Sequence, residues 1–376
     1  MLIAINCRLL VPEKMDGIGW FTYHVVKQLT FQHPEMRFLL LFDREYPKEV
    51  LLNSNVEAKI LKPQARHPFL YYLWFEFAVA DALKMYNPDV FLSPDGYLSL
   101  RTHIPQVAVI HDINFEHYPK DLPWLTRKYY RYFFPRFAQK AARIATVSKF
   151  SKQDIADTYH IAPEKIDVVY NGVSERYKVL DDEERRQIRN EISEGNPYFV
   201  FVGSLHPRKN IANMLLAFDA FKDSDDTGMQ LVIAGHRMWW SNDMEQAWQN
   251  MRHKTAVRFL GRTPLEQLTK IVGGAYAMVY VSNFEGFGVP LIEAMRCGVP
   301  VITSNTTSMP EVAGEAALFA DPANVSDITS KMQLLASDSL LYSRISAAGL
   351  ERSAQFTWSE TAERLWMCVI RAVSGL

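Results

Sequence analysis

Cysteine is scarce in this chain of 376 residues: Cys7, Cys297 and Cys368 are the only three, far apart and odd in number. They offer neither a disulfide framework nor a zinc-ligand spacing, and a reducing compartment is expected. An excess of charge of one sign is also lacking. The 41 basic and 42 acidic residues leave a formal charge of −1. Proteins built on phosphate-backbone contacts carry a basic surplus, so nucleic acid is not expected as a main partner. No long apolar run occurs either. The most apolar window, residues 69–83, is broken by Glu76 and Asp81, short of the roughly 20 residues a membrane-spanning helix needs. Met1-Leu2-Ile3-Ala4-Ile5-Asn6-Cys7-Arg8 has no basic leader and no small-residue cleavage site, so a strand from residue 2 is expected rather than a signal peptide. Repeats of solenoid period and low-complexity tracts are absent.

What is present is a mixture ordinary for a folded soluble protein, 48% hydrophobic and 22% charged, in a length that suggests two domains. Short apolar runs alternate with helix-like segments. The first half offers Leu2–Leu10, Arg37–Phe42, Val56–Leu61, Val90–Ser93, Val107–His111, Ile144–Ser148 and Ile166–Tyr170. The second half offers Tyr198–Gly203, Gln230–Gly235, Val257–Gly261, Ala277–Ser282, Val299–Thr303 and Ala317–Ala320. Continuous rather than alternating runs mark parallel strands buried on both faces, and their alternation with helices predicts doubly wound βαβ sheets. The pattern restarts after the charged segment Asp181-Asp182-Glu183-Glu184-Arg185-Arg186 and Gly195-Asn196-Pro197, which reads as a linker. Residues 1–170 hold 21 basic and 18 acidic residues, net +3; residues 171–376 hold 20 and 24, net −4. Two Rossmann-like domains facing across a cleft would bind ligands at the carboxyl ends of their strands.

Four segments at such ends carry the chemistry. Asn283-Phe284-Glu285-Gly286-Phe287-Gly288-Val289-Pro290-Leu291-Ile292-Glu293 follows a buried strand. Its glycines permit a tight turn, Pro290 suits a first helical turn, and the free amides from Phe287 onward suit an anion. Glu285 and Glu293 are acceptors suited to sugar hydroxyls. Gly203-Ser204-Leu205-His206-Pro207-Arg208-Lys209-Asn210 places two cations where a diphosphate could be neutralised. Asp16-Gly17-Ile18-Gly19 resembles a phosphate loop but lacks the third glycine and the acidic partner of a dinucleotide fingerprint. His111 ends a strand, where it can accept a proton or orient a hydroxyl. Each has a plainer alternative: solvated glutamates, a surface basic pair, a structural histidine.

Together, and in this order, these segments resemble retaining glycosyltransferases of the GT-B fold, family four (glycosyl transferases group 1). Glu285 and Glu293 match the family's Glu-x7-Glu signature. Gly203 with Arg208-Lys209-Asn210 matches its phosphate loop, and Gly17-Ile18-Gly19 its early glycine loop. Thr146-Val147-Ser148-Lys149-Phe150-Ser151 and Val169-Tyr170-Asn171-Gly172-Val173 are also similar. The resemblance implies an acceptor-binding domain over 1–175, a donor-binding domain over 176–355, and a C-terminal helix over 356–376 that crosses back. It implies that Glu293 holds the ribose, that Arg208 and Lys209 bind the diphosphate, and that Glu285 with the amides of Phe287, Gly288 and Val289 holds donor sugar and phosphate. Gly17 and Gly19 would border the diphosphate and acceptor, and His111 the donor sugar and incoming hydroxyl. The base would lie near Gly235 and Gly261-Arg262. The resemblance also implies metal independence, basic residues taking the place of a cation, and the lack of an Asp-x-Asp pair beside these loops agrees; no metal site and no resident cofactor is expected, the nucleotide sugar being a co-substrate.

The expected reaction is hexose transfer from a nucleotide sugar to a glycan or lipid-linked acceptor in polysaccharide biosynthesis. Attack from the leaving group's face and a covalent intermediate on Glu285 both remain open. Phe115-Glu116-His117-Tyr118-Pro119 and its sequel resemble mannosyltransferases, which makes GDP-mannose the first donor and a UDP-sugar the second. A nucleotide-sugar epimerase on the same fold and a silent nucleotide-sugar-binding subunit are the alternatives. Residues 127–143 hold six basic residues, no acidic one and many aromatics. That mixture suits either an anionic membrane surface or an ordinary helix with its aromatics spread around the wheel. The expected place is the cytoplasm, or the inner face of its membrane.

Overall fold

The computed structural model describes every residue except 12–14, 16, 47–52, 238 and 376, so Asp16 of the early glycine loop lies outside the described residues. The chain divides into two compact units, Met1–Gly172 with Trp358–Leu376, and Val173–Thr357.

In the first unit seven strands run β1 (Leu2–Asn6), β2 (Arg37–Phe42), β3 (Val56–Ile60), β4 (Val90–Ser93), β5 (Gln106–Val109), β6 (Arg143–Thr146) and β7 (Ile166–Val168). They form one sheet in the order β3-β2-β1-β4-β5-β6-β7, with every pairing parallel. Ile3 and Ile5 enter one core cluster and Ala4 the other. Phe38, Leu40 and Phe42 divide from Leu39 and Leu41 in the same way. Side chains alternate across a strand, so a sheet covered on both faces demands an unbroken apolar run.

The second unit repeats the plan with β8 (Tyr198–Val202), β9 (Gln230–Ala234), β10 (Val257–Gly261), β11 (Ala277–Tyr280), β12 (Val301–Ser304) and β13 (Leu318–Ala320). Their order is β10-β9-β8-β11-β12-β13, again all parallel. In each sheet the strand order reverses once, between β1 and β4 and between β8 and β11. A crevice opens at such a point at the carboxyl ends of the strands.

Six helices matter below: α1 (Gly17–Gln32), α2 (Trp124–Lys140), α3 (Asp182–Ser193), α4 (Leu265–Gly274), α5 (Val289–Arg296) and α6 (Trp358–Ser374). The charged segment that reads as a linker is α3. Asp181 and Glu184 close a capping box at its start, and Arg189 donates from it to the Gly274 carbonyl at the end of α4 (2.9 Å). Its charges face out while Ile188 and Ile192 are buried, so it is a packed element of the second unit and the chain divides before it. Helix α6 buries Ala362, Leu365, Trp366, Cys368 and Val369 in the core of the first unit beside α1. Arg371 pairs with Asp167 (2.6 Å), and the Thr361 hydroxyl donates to the Tyr170 carbonyl (2.8 Å).

Candidate active site

At the β8/β11 reversal two loops meet. The chain leaving β8 forms a single turn over Pro207–Lys209. The chain leaving β11 passes through Ser282 to Glu285, and the Asn283 amide donates to the Arg208 carbonyl (2.8 Å). Asn210 donates to the carbonyls of Val281 (3.0 Å) and Pro322 (2.7 Å) and ties the turn down. Lys209 is thereby buried, and its ammonium pairs with Glu285 Oε1. The Tyr280 hydroxyl touches both, 2.5 Å from Lys209 Nζ and 3.1 Å from Glu285 Oε1. Arg208 takes the other carboxylate oxygen at 3.2 Å and donates to the Phe284 carbonyl (3.1 Å). Burial alone would push the Glu285 carboxyl up; Lys209 and Arg208 outweigh it and hold its pKa at about 2. Two cations share one carboxylate, leaving a surplus positive charge in a water-poor place, where an anion is held strongly.

The loop then enters α5. Gly288 caps that helix at φ 89°, a left-handed angle that favours glycine, and a Cβ there would also displace the end of the Met309 side chain, whose Cε would lie at 2.5 Å. Phe287 is buried edge-on to Phe356, 5.6 Å between centroids. Val289 opens α5, Pro290 follows in its first turn, and the Leu291 amide is already used on the Gly288 carbonyl (3.0 Å). Glu293 is half-buried one turn further on. Burial pushes its carboxyl up to about 7, against a hydrogen bond from Tyr177. The two glutamates of the signature thus stand in opposite environments.

Gly235, after β9, lies against the β8 loop, and a Cβ on it would come within 1.8 Å of the Gly203 carbonyl oxygen. Gly203 itself has φ 148°. This pair lets the two loops approach each other. Gly261, ending β10, has φ 68° with open space beside it, and Arg262 next to it is exposed.

In the first unit, His111 follows β5. Its Nε2 lies 2.8 Å from the Pro94 carbonyl oxygen, which can only accept, so this nitrogen carries the proton and the neutral ring has its lone pair at Nδ1. Phe21 of α1 meets the ring edge-on at 4.8 Å. Gly19 is buried, and a Cβ there would meet the Leu9 carbonyl at 2.9 Å, whereas Gly17 has open space. Of the two glycines of the early loop, Gly19 is the one required by packing.

Sequence reasoning missed the centre of this unit. At the β1/β4 reversal Arg8 pairs with Asp95 at 2.6 Å, with side chains 5% and 4% exposed. Asn6 donates to Asp95 (2.8 Å) and Ser93 (3.0 Å), and Arg8 to the Ala65 carbonyl (3.2 Å). The Arg8 guanidinium lies 4.5 Å from the ring centre of Tyr97 and 5.0 Å from that of Tyr71. The only trace in the sequence is the run of polar residues, Asn6-x-Arg8 and Asp95, directly after apolar strands. Tyr280 and Tyr177 were missed as well. Tyr280 carries the one side-chain polar group in β11.

Residues 182–352 match the family described as Glycosyl transferases group 1, and residues 15–177 match Glycosyltransferase Family 4. The chain is 30% identical over 364 residues to the O-antigen chain mannosyltransferase B of Escherichia coli, covering 93% of this chain and 94% of that one. It is 28% identical over 274 residues to the O-antigen chain mannosyltransferase RfbU of Salmonella typhimurium, covering 73% and 72%. Among solved structures it resembles Anabaena Alr3699/HepE in complex with UDP-glucose, with a TM-score of 0.75 at 17% identity over 98% of this chain and 99% of that one. With both domain matches in chain order and a relative aligned nearly end to end, the chain belongs to the glycosyl transferases group 1, family four, and is a glycosyltransferase of the GT-B fold.

Proposed function

We propose that this enzyme moves mannose from GDP-mannose, with retention of configuration, to a hydroxyl of a growing, lipid-linked surface polysaccharide of the O-antigen kind. The observation that carries the donor class is the two-cation cluster on Glu285 at the β8/β11 reversal. The names of the two O-antigen mannosyltransferases favour the sugar and the pathway.

As the bond from the sugar C1 to the phosphate oxygen breaks, negative charge grows on the departing diphosphate. Arg208, Lys209 and the first turn of α5 are preorganised to receive it. Glu293 accepts from the ribose hydroxyls. Glu285 Oε1 is engaged by Lys209 and Tyr280, and Oε2 by Arg208. A nucleophile would have to shed these partners, so we assign Glu285 to hold the cations and favour attack from the leaving group's face, the acceptor proton passing to the departing phosphate. In the first unit, the accepting nitrogen of His111 is Nδ1. Because two side-chain cations meet the diphosphate, transfer is expected to persist in EDTA.

The acceptor's lipid suggests a peripheral membrane contact, and α2 has a face for it. Tyr129, Phe134, Phe137 and Ala138 are buried, while Trp124, Leu125, Lys128, Arg131, Tyr132, Arg136 and Lys140 are exposed. Arg127, Lys128, Arg131 and Tyr132 line a shallow pocket of about 350 Å³. Basic residues among aromatics suit anionic headgroups. Flotation with anionic liposomes, reduced by K128E/R131E, is expected; equal recovery without lipid would remove this contact.

The deciding experiment is a thermal-shift panel of nucleoside diphosphates followed by product analysis. A ligand at 100 times its Kd adds about 2.7 kcal/mol to the folded state. Stabilisation by GDP, with mannose transferred from GDP-mannose, is the expected result. Response to UDP ligands alone would replace the donor. An isomerised nucleotide sugar, or binding with no transfer, would replace the reaction.

A further inference from the structure

Thr307 has φ 56°. Among the described residues with positive φ it is the one β-branched side chain, the others being glycine, Asn87, His160, Glu194 and Asn210. A branched Cβ in the left-handed region clashes with its own backbone and persists only where the surroundings hold it. The next residue breaks a second local rule. Ser308 stands at the N-cap of the helix Met309–Ala313, yet its side chain makes no capping bond, although serine there ordinarily accepts from an amide of the first turn.

Both hydroxyls end on the backbone of one residue instead, on the two peptide units that flank the Glu285 Cα. Ser308 Oγ donates to the Glu285 carbonyl at 2.9 Å, and Thr307 Oγ1 accepts from the Glu285 amide at 3.4 Å. Ser308 is fully buried. Adjacent residues that give up backbone ease and a helix cap, and spend both groups on one glutamate, mark a place where local stability yields to function.

We propose that Thr307 and Ser308 are positioning residues that brace the Glu285 backbone, so that its carboxylate keeps Arg208 and Lys209 aimed at the leaving diphosphate. This rests on the role given to Glu285 above. Thr307 contributes its hydroxyl, which glycine, the residue its backbone angle favours, lacks.

The test compares four variants of the full chain. T307S keeps the hydroxyl, T307V keeps the branched shape without it, T307G removes both the strain and the hydroxyl, and S308A removes the second contact. Amide hydrogen exchange over Phe284–Phe287 reads the brace with no substrate present. T307V and S308A should raise exchange about tenfold, and T307S should leave it near wild type. With GDP-mannose, kcat should fall about five- to tenfold in T307V, T307G and S308A, donor KM should move less, and T307S should retain wild-type turnover. T307G should match or exceed the wild-type Tm while losing kcat, a pairing that a purely structural role does not produce. Exchange unaltered in T307V and S308A overturns the brace whatever the activity. Full kcat in T307V and T307G, with an active wild type, overturns its positioning role. A wild type that transfers no sugar while the exchange pattern appears defeats the proposed function and leaves the brace standing.

Discussion

The two sheets reverse strand order at equivalent places, and each reversal holds a buried cation beside a carboxylate, Arg8 in the first and Lys209 in the second. Arg8 and Asp95 are matched one to one. Asn6, Ser93 and the Tyr97 amide complete Asp95, and aromatic rings stand around the guanidinium. Burial would lower the Arg8 pKa, but Asp95 and the neighbouring tyrosines keep it charged. At the second reversal Glu285 faces two cations, and the Arg208 side chain remains 19% exposed. A pair with equal charges and both carboxylate oxygens engaged is a strut. A cluster with one cation in excess has a vacancy in charge, which under the proposed function the donor diphosphate would fill. On that reading the same topology serves architecture in one unit and chemistry in the other, and the charge count decides which.

Breaking the strut should have the largest effect on stability. D95A leaves Arg8 buried without its partner, and removing one member of a buried pair costs about 3–5 kcal/mol. Chemical denaturation should show that loss, with most of it recovered in R8M/D95L, because two apolar residues replace the pair without stranding a charge. D95A as stable as wild type would show that the pair is dispensable. The loop it braces includes Pro94, whose carbonyl fixes the His111 ring, so any soluble D95A should also lose turnover.

Removing the surplus charge should spare the fold and stop the chemistry. In K209M, Glu285 keeps Arg208, so no charge is stranded. Loss of one preorganised group facing developing charge costs about 10²–10³ in kcat. R208A should behave similarly, mainly in turnover. A K209M enzyme with wild-type kcat would remove the cluster from the reaction. Y280F is milder. It deletes one hydroxyl shared by Lys209 and Glu285, worth about 1 kcal/mol, and about a fivefold loss of kcat should appear in steady-state assays; unchanged kcat would make Tyr280 a packing residue only.

Much of this contrast was open to inspection in the sequence, unevenly. The strands stand at the apolar runs because parallel strands covered on both faces leave no polar position to interrupt them. Their ends were less legible: the run Leu2–Leu10 pairs only to Asn6, since β1 is matched to β4 over Ile3–Ile5 and to β2 no further than Asn6. Arg208, Lys209 and Glu285 were readable because each sits in a glycine-bearing loop after a strand. Asp95 and Arg8 lie 87 residues apart, and no periodicity records which distant residues will pair. Helix α2 shows the same limit. Its aromatics do fall around the wheel, but Tyr129, Phe134 and Phe137 are buried while Trp124 and Tyr132 are exposed, a division set by what packs against the helix. Thr307 left no trace, because a threonine in a turn is ordinary and its backbone angle has no letter.

A dependence on pH separates the two glutamates of the signature. Glu285 is held at about 2 and Glu293 is pushed up to about 7, either side of the ordinary 4.5. Their linkage to folding has opposite signs. Glu285 binds fewer protons folded than unfolded, so its contribution is complete above about 4.5 and is lost as pH falls toward 2. Glu293 binds more protons folded than unfolded between about 4.5 and 7, so stability declines as pH rises through that window. E285Q should flatten the acid limb of a stability–pH curve and E293Q the limb approaching neutrality. Ligand binding then sharpens the contrast. Ribose hydroxyls donate to an ionised carboxylate, so GDP binding should deprotonate Glu293 and strengthen about tenfold from pH 6 to 8. Calorimetry in buffers of different ionisation enthalpy should record the released proton. E293Q should bind GDP more weakly at pH 8 and show neither the slope nor the proton. In Y177F, which loses the hydrogen bond that opposes the rise, the midpoint should move to higher pH. Equal slopes in wild type and E293Q would detach Glu293 from the ribose and leave Glu285 as the only glutamate of the pair with work at the donor.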